Sequence, residues 1–271
     1  MHPLIGPRLK VTRAESELKN LRVLQDAFMK DSDYRVVKAE LNPKSGKYRY
    51  RVRIHSAPPD PQWGVWIGEI AHNLRSALDG LVHQLALLNL PKGRAPAGNT
   101  QFPIFLLGKT KRTYRGGKNL IAHFEGMERG NGRGMIRNLK AEHQASIERL
   151  QPYKSGRGGL HCPLYWLKEV NNADKHRLIQ VVGGKPGIGP FVGGWGDDLD
   201  VHFGFDPRKI LKEGAIFDEF APDIHVRPKV VPLIAFWQGC PEVEGKGVTN
   251  TLRMIAEDVS KIIEGFAPEF G

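Results

Sequence analysis

Only two cysteines, Cys162 and Cys240, occur in 271 residues, and they lie far apart without a Cys-x-x-Cys spacing. That argues against a disulfide scaffold and a thiolate zinc site, and leaves reduced thiols as the expectation. No run approaches the ~18 consecutive apolar residues of a membrane-spanning helix. The start, MHPLIGPRLK, lacks the apolar stretch of a signal peptide. A cytoplasmic protein with no membrane partner is therefore expected. Two local absences say more: residues 90–160 contain no aspartate, and residues 62–89 contain no lysine.

What is present suits a packed core, with 40% hydrophobic and 25% charged residues. The net charge of +11 is unevenly placed. Residues 1–89 hold 14 basic against 9 acidic side chains, residues 90–160 hold 14 against 4, and residues 161–271 hold 12 against 16. The excess sits in the middle, in the glycine-rich run from Gly108 to Gly134 with Lys109, Lys111, Arg112, Arg115, Lys118, Arg129 and Arg133. Such a loop attracts a polyanion by releasing condensed counterions, so nucleic acid is the expected partner. The plainer alternative is a solvated loop balanced by the acidic last third.

Apolar spacing predicts a first helix over 13–29, with Thr12 as its N-cap. Alternating segments over 34–41 and 47–55 flank Asn42-Pro43-Lys44-Ser45-Gly46 and predict a β-hairpin. On its second strand Lys47, Arg49, Arg51 and Arg53 share one face, which is either a nucleic-acid surface or a set of cross-strand pairs involving Glu40. The prolines at 58, 59 and 61 end that region, and a long helix over 62–89 follows, with Ile67, Ile70, Leu74, Leu78, Leu81, Leu85 and Leu88 as its apolar stripe. Further helices are expected over 143–153, 161–177 and 247–266, and strands over 178–183, 199–205, 214–219 and 224–236. The fold class is α+β: a helical core with an N-terminal β-hairpin and a C-terminal antiparallel strand region closed by a helix. One compact unit over 1–271 is expected, helix-rich to about 177 and strand-rich beyond.

Two helices carry unusual polar faces. On 62–89, at about 100° per residue, His72, Ser76, Asp79 and His83 fall in one arc with Arg75 at its edge. Without lysine, that arc reads as a partly covered polar layer. On 161–177, Glu169, Asn172 and His176 share an arc beside the apolar side, with Lys168 and Lys175 farther out.

The segments Ile70-Ala71-His72-Asn73-Leu74-Arg75-Ser76-Ala77-Leu78-Asp79, Leu150-Gln151-Pro152-Tyr153 and Asn172-Ala173-Asp174-Lys175-His176-Arg177 occur in this order. In them the chain resembles a mostly actinobacterial protein family with no established activity, over residues 50–270. The resemblance directs attention to Arg75, Asp79, Asn172, Asp174, Lys175 and His176.

Sharper motifs fail. Gly108-Lys109-Thr110 has Pro103 where a P-loop demands glycine, and Gly187-Ile188-Gly189 lacks the third glycine and the helix of a dinucleotide fingerprint. No cofactor is expected. Arg137 and His143 match the spacing of a HEPN-type ribonuclease, with Asn138 after the arginine, but Arg49 and His55 match it as well and lie on a predicted strand. That leaves HEPN as an analogy only. Asp79 and His83, joined by His72 and by Glu169 or His176, are spaced to hold a metal, yet a hydrogen-bonded network explains the same residues more simply, so no metal is assigned.

Three functions from different classes follow. The leading one is a nucleic-acid-associated binding protein using the central loop and the hairpin cations Arg49 and Arg51. The second is a hydrolase or nuclease centred on Arg75, Asp79, His83, Asn172 and His176. The third is a scaffold protein with a buried polar network. Nothing in these patterns specifies an oligomeric state.

Overall fold

The structure, a computed structural model, describes residues 2–31, 33–106, 124, 132–156, 159–176, 179–183, 213–214, 216–221, 234–237 and 240–271. Its elements run α1 (Ile5–Asp31), β1 (Tyr34–Leu41), β2 (Tyr48–Ile54), α2 (Gln62–Asn89), α3 (Gly132–Met135), α4 (Ala141–Arg149), α5 (Pro163–His176), β3 (Gln180–Gly183), β4 (Ile216–Phe220), β5 (Ile234–Trp237) and α6 (Val248–Gly265). Short 3-10 turns follow α4 at Pro152–Lys154 and α6 at Ala267–Phe270. The fold is α+β, as the residue patterns predict. Among the described residues, no helix is long and apolar enough to cross a membrane.

The chain forms two compact units, each drawn from separate stretches: residues 1–19, 66–177 and 251–271 in the first, residues 20–65 and 178–250 in the second. The first unit is helical. Ile67, Ile70, Leu74, Leu78, Leu81 and Leu85 of α2 are fully buried, each contributing about 1.5–3 kcal/mol of apolar transfer energy. Leu88, placed in the same stripe by its spacing, is exposed in the last turn, where α2 runs out past the core. Gly68 has a positional reason: a methyl group there would collide with the Asp174 carboxylate of α5, so the glycine lets α2 and α5 approach.

α1 begins at Ile5 and not after Thr12, because His2 serves the helix start. The His2 Nδ1 accepts the Leu4 N–H at 3.1 Å and the His2 carbonyl accepts the Ile5 N–H at 3.0 Å. Pro7 lies in the first turn, where a missing N–H costs nothing.

In the second unit β2 is the central strand of an antiparallel sheet ordered β1-β2-β4, and β3 pairs with β5 in a separate antiparallel sheet. The hairpin turn closes through Asn42, whose Oδ1 accepts the Lys44 N–H at 3.0 Å, and through Gly46 at φ 66°, a left-handed conformation suited to glycine. The expected strand over 199–205 lies outside the described residues.

Candidate functional site

The basic face of β2 has its charge as its only claim on a ligand. Arg49 Nε donates to Glu219 Oε1 at 2.8 Å, and Arg49 also pairs with Glu40 at 3.4 Å. Arg51 Nη2 donates to Glu40 Oε1 at 2.5 Å while its Nη1 donates to the Gly214 carbonyl at 2.8 Å. Arg53 meets Glu213 at 2.8 Å. Hydrogen bonds from Arg51 and then Arg49 hold the Glu40 carboxyl below its ordinary range, and those from Arg49, Asn42 and Ser45 do the same to Glu219. The three arginines of this face are neutralised locally, while Lys47 is exposed, and the acidic strand β4, far away in sequence, supplies Glu219. Lys109, Lys111, Arg112, Arg115 and Lys118 lie outside the described residues.

A different concentration of charge is found wholly within the first unit. A cavity of about 320 Å³ is lined by Arg75 of α2, by Gln101, Phe102, Ile104 and Phe105 of the following loop, by Met135, and by Lys168, Asn171, Asn172 and Lys175 of α5. The four α5 residues stand at i, i+3, i+4 and i+7, one face of a helix. Sequence spacing places Glu169, Asn172 and His176 together. The lining face is turned by about one residue from that, roughly 100°, so half-buried Lys168 and buried Asn171 line the cavity together with exposed Asn172 and Lys175, while His176, also exposed, is not part of the lining.

The loop wall is pinned by buried polar contacts. Arg75 Nη2 donates to the Phe102 carbonyl at 2.6 Å, Asp79 Oδ1 accepts the Phe102 N–H at 2.9 Å, and Arg75 and Asp79 pair with each other at 2.9 Å. Gln151, fully buried, holds the same loop from behind. Its Oε1 accepts the Phe105 N–H at 3.1 Å and its Nε2 donates to the Pro103 carbonyl at 2.8 Å. All three motif segments of the sequence therefore converge here: Arg75 and Asp79 from the first, Gln151 from the second, Asn172 and Lys175 from the third.

Electrostatics sharpen the picture. Burial pushes the Lys168 ammonium below the usual lysine range against a partial offset from Glu169, and the nearby Arg75 adds a smaller push the same way as burial. The Lys168 Nζ lies 5.8 Å from the Phe105 ring centre and 5.9 Å from that of Tyr165. Among the described residues, no carboxylate lines the cavity and neither Lys168 nor Lys175 has an ion-pair partner. Asn171 is 3% exposed, and its Oδ1 has no hydrogen-bond partner.

The remaining candidates separate. Ser76 accepts a hydrogen bond from Lys10 of α1, and Asp79 works on the loop, but His72 and His83 are exposed. The polar arc of α2 is thus covered only through its middle. His143, of the HEPN-like spacing, is buried, with Nε2 2.9 Å from Glu269 and the ring edge-on to Phe266, while Arg137 is exposed. Asn138 is occupied in holding the Asn89 side chain and the Ala97 N–H. Glu142, His143 and Glu269 are the one cluster of metal-ligating atoms among the described residues, and it contains none of the residues weighed for a metal in the sequence.

Lys168, Asn171 and Gln101 were missed by motif reading. The signal for two of them is the i, i+3, i+4, i+7 run of amides and lysines on α5; nothing marks Gln101. Compared with known proteins, the chain matches no family model, no curated protein and no solved structure.

Proposed function

We propose that the chain is a binding protein for a phosphate-bearing ligand of the nucleotide or nucleic-acid kind, and that the anion is taken in the cavity between α2 and α5. One observation carries this reading: Lys168 and Lys175, neither with an ion-pair partner among the described residues, meet on a cavity whose described lining holds no carboxylate, beside Arg75, which Asp79 pairs from outside the lining. Like charges held together in a partly desolvated site repel, and an anion relieves the repulsion while accepting charge-assisted hydrogen bonds. The hairpin cations Arg49 and Arg51 lack this property because Glu40 and Glu219 already compensate them.

A binding role is favoured over hydrolysis for a geometric reason. The described lining supplies neither an imidazole nor a carboxylate for proton transfer, and the proposed acid–base residues His83 and His176 stand exposed outside it.

Calorimetric titration with pyrophosphate and with a short single-stranded oligonucleotide, repeated over a range of salt, tests the proposal. Lys168→Gln and Lys175→Gln are each expected to weaken binding about tenfold and to reduce the salt dependence by about one ion. Absence of binding, or affinity unchanged in the double variant, overturns it.

A further inference from the structure

We propose that Lys168 is a nucleophile whose amine condenses, as a reversible imine, with the carbonyl of a small phosphate-bearing aldehyde or ketone, while Lys175, beside Arg75, holds the phosphate. The inference rests on the anion site above and adds a covalent step to it.

The two lysines of the lining are unlike each other. Lys175 is exposed, whereas Lys168 is half-buried, with its Nζ 5.8 Å from the ring centre of Phe105, itself part of the lining, and 5.9 Å from that of buried Tyr165. Rings near the ~6 Å limit of a cation–π contact do not replace a counter-ion. Among the described residues Lys168 has no ion-pair partner, and the opposing charge of Glu169, the next residue, acts from outside the lining.

A lysine so placed has a chemistry that a surface lysine lacks. Desolvation and a neighbouring cation both disfavour the ammonium, and each is a known way of making lysine an amine nucleophile near neutral pH. Burial is the larger influence here, Glu169 offsets part of it, and Arg75 adds a smaller push in the direction of burial. Arg75 itself keeps its charge at any working pH. Phosphate therefore goes to Lys175 and Arg75, and Lys168 is left for an electrophile.

The rest of the lining selects the electrophile. It holds no imidazole and no carboxylate among its described residues, so acyl or phosphoryl transfer has no side chain to move its protons. Imine formation needs only water for that task. The nitrogen lone pair attacks the carbonyl carbon, the C–N bond forms as the carbonyl π bond opens, and water carries one proton from nitrogen to oxygen. The new hydroxyl then leaves as water while the nitrogen gives up its remaining proton and C=N forms. Nothing is oxidised or reduced. The cavity, about 320 Å³, stands at the small end of ligand sites, which run from about 300 to 1,000 Å³, and suits a compact ligand.

The test uses pyridoxal 5′-phosphate, a phosphate-bearing aldehyde, as the probe. The full wild-type chain is incubated with it near neutral pH, borohydride fixes any imine as a secondary amine, and mass spectrometry of the peptides locates the adduct. Lys168 is expected to be labelled at least about tenfold faster than the exposed Lys44 and Lys47, because the held phosphate positions the aldehyde. Pyrophosphate is expected to suppress the labelling, and phosphate-free pyridoxal to label Lys168 far more slowly. Lys168→Arg keeps the charge, removes the amine and is expected to lose this adduct. If pyrophosphate binds in calorimetry while the adduct falls on Lys175 or spreads over surface lysines, or if pyridoxal labels Lys168 equally well, the imine is overturned and the anion site stands. If pyrophosphate does not bind and Lys168 is not labelled, both fall.

Discussion

Arg75 and Asp79, one turn apart on α2 and 2.9 Å from each other, grip opposite polar groups of a single residue: Arg75 the carbonyl of Phe102, Asp79 its N–H. Phe102 is fully buried, so neither backbone group has water as a substitute. The Arg75–Asp79 pair thus fixes the loop that walls the cavity.

Asp79→Ala accordingly leaves a buried N–H and a half-buried guanidinium uncompensated. A loss of about 1–3 kcal/mol in urea unfolding is expected, together with weaker ligand binding. A variant with wild-type stability and selectively lost turnover on a phosphodiester would return Asp79 to a catalytic role.

Gln151 is the second anchor of that loop. Gln151→Leu keeps the volume but strips the Phe105 N–H and the Pro103 carbonyl of their partners, so a cost of at least about 2 kcal/mol is expected from the same measurement.

The Lys168 ammonium is held below its ordinary value of 10.5 by burial, which outweighs the opposing charge of Glu169, with a smaller addition from Arg75. A bound anion favours the charged form, so affinity falls as pH rises through the lowered value, sooner than an ordinary lysine dictates. Titrations of pyrophosphate against pH check this, and Lys168→Arg is expected to remove the early fall.

Asp258 lines a second cavity, of about 570 Å³, near Cys162, and burial pushes its carboxyl above the ordinary 3.8, with a partial offset from Lys261. Between 3.8 and the raised value the folded chain holds a proton that the unfolded chain has released. The charged form therefore burdens the fold fully above that window and not at all below it. Asp258→Asn is expected to raise Tm at pH 7, with the gain fading as pH falls to 3.8.

Much of the local structure was legible because periodicity records it. The bounds of α2 follow from the prolines before it and the leucine stripe along it, and the hairpin follows from alternation around Asn42 and Gly46. What was not legible is what distant chain supplies. No local pattern announces that β4 joins the hairpin and brings Glu219 to Arg49, which changes a basic face into a neutralised one. Which arc of α5 meets the cavity is not legible either, because helical spacing groups residues into arcs without saying which arc a distant loop covers. The cavity is lined by Lys168 and Asn171, and not by Glu169 and His176. Arg75 and Asn172, by contrast, were singled out from their motifs and both line the cavity.

Chemical labelling of lysines, read by mass spectrometry with and without pyrophosphate, tests the anion site most directly. Lys168 and Lys175 are expected to be protected by the ligand, while the exposed Lys44 and Lys47 of the hairpin turn label at unchanged rates. Protection confined to the hairpin, or no protection at either α5 lysine, would contradict the account.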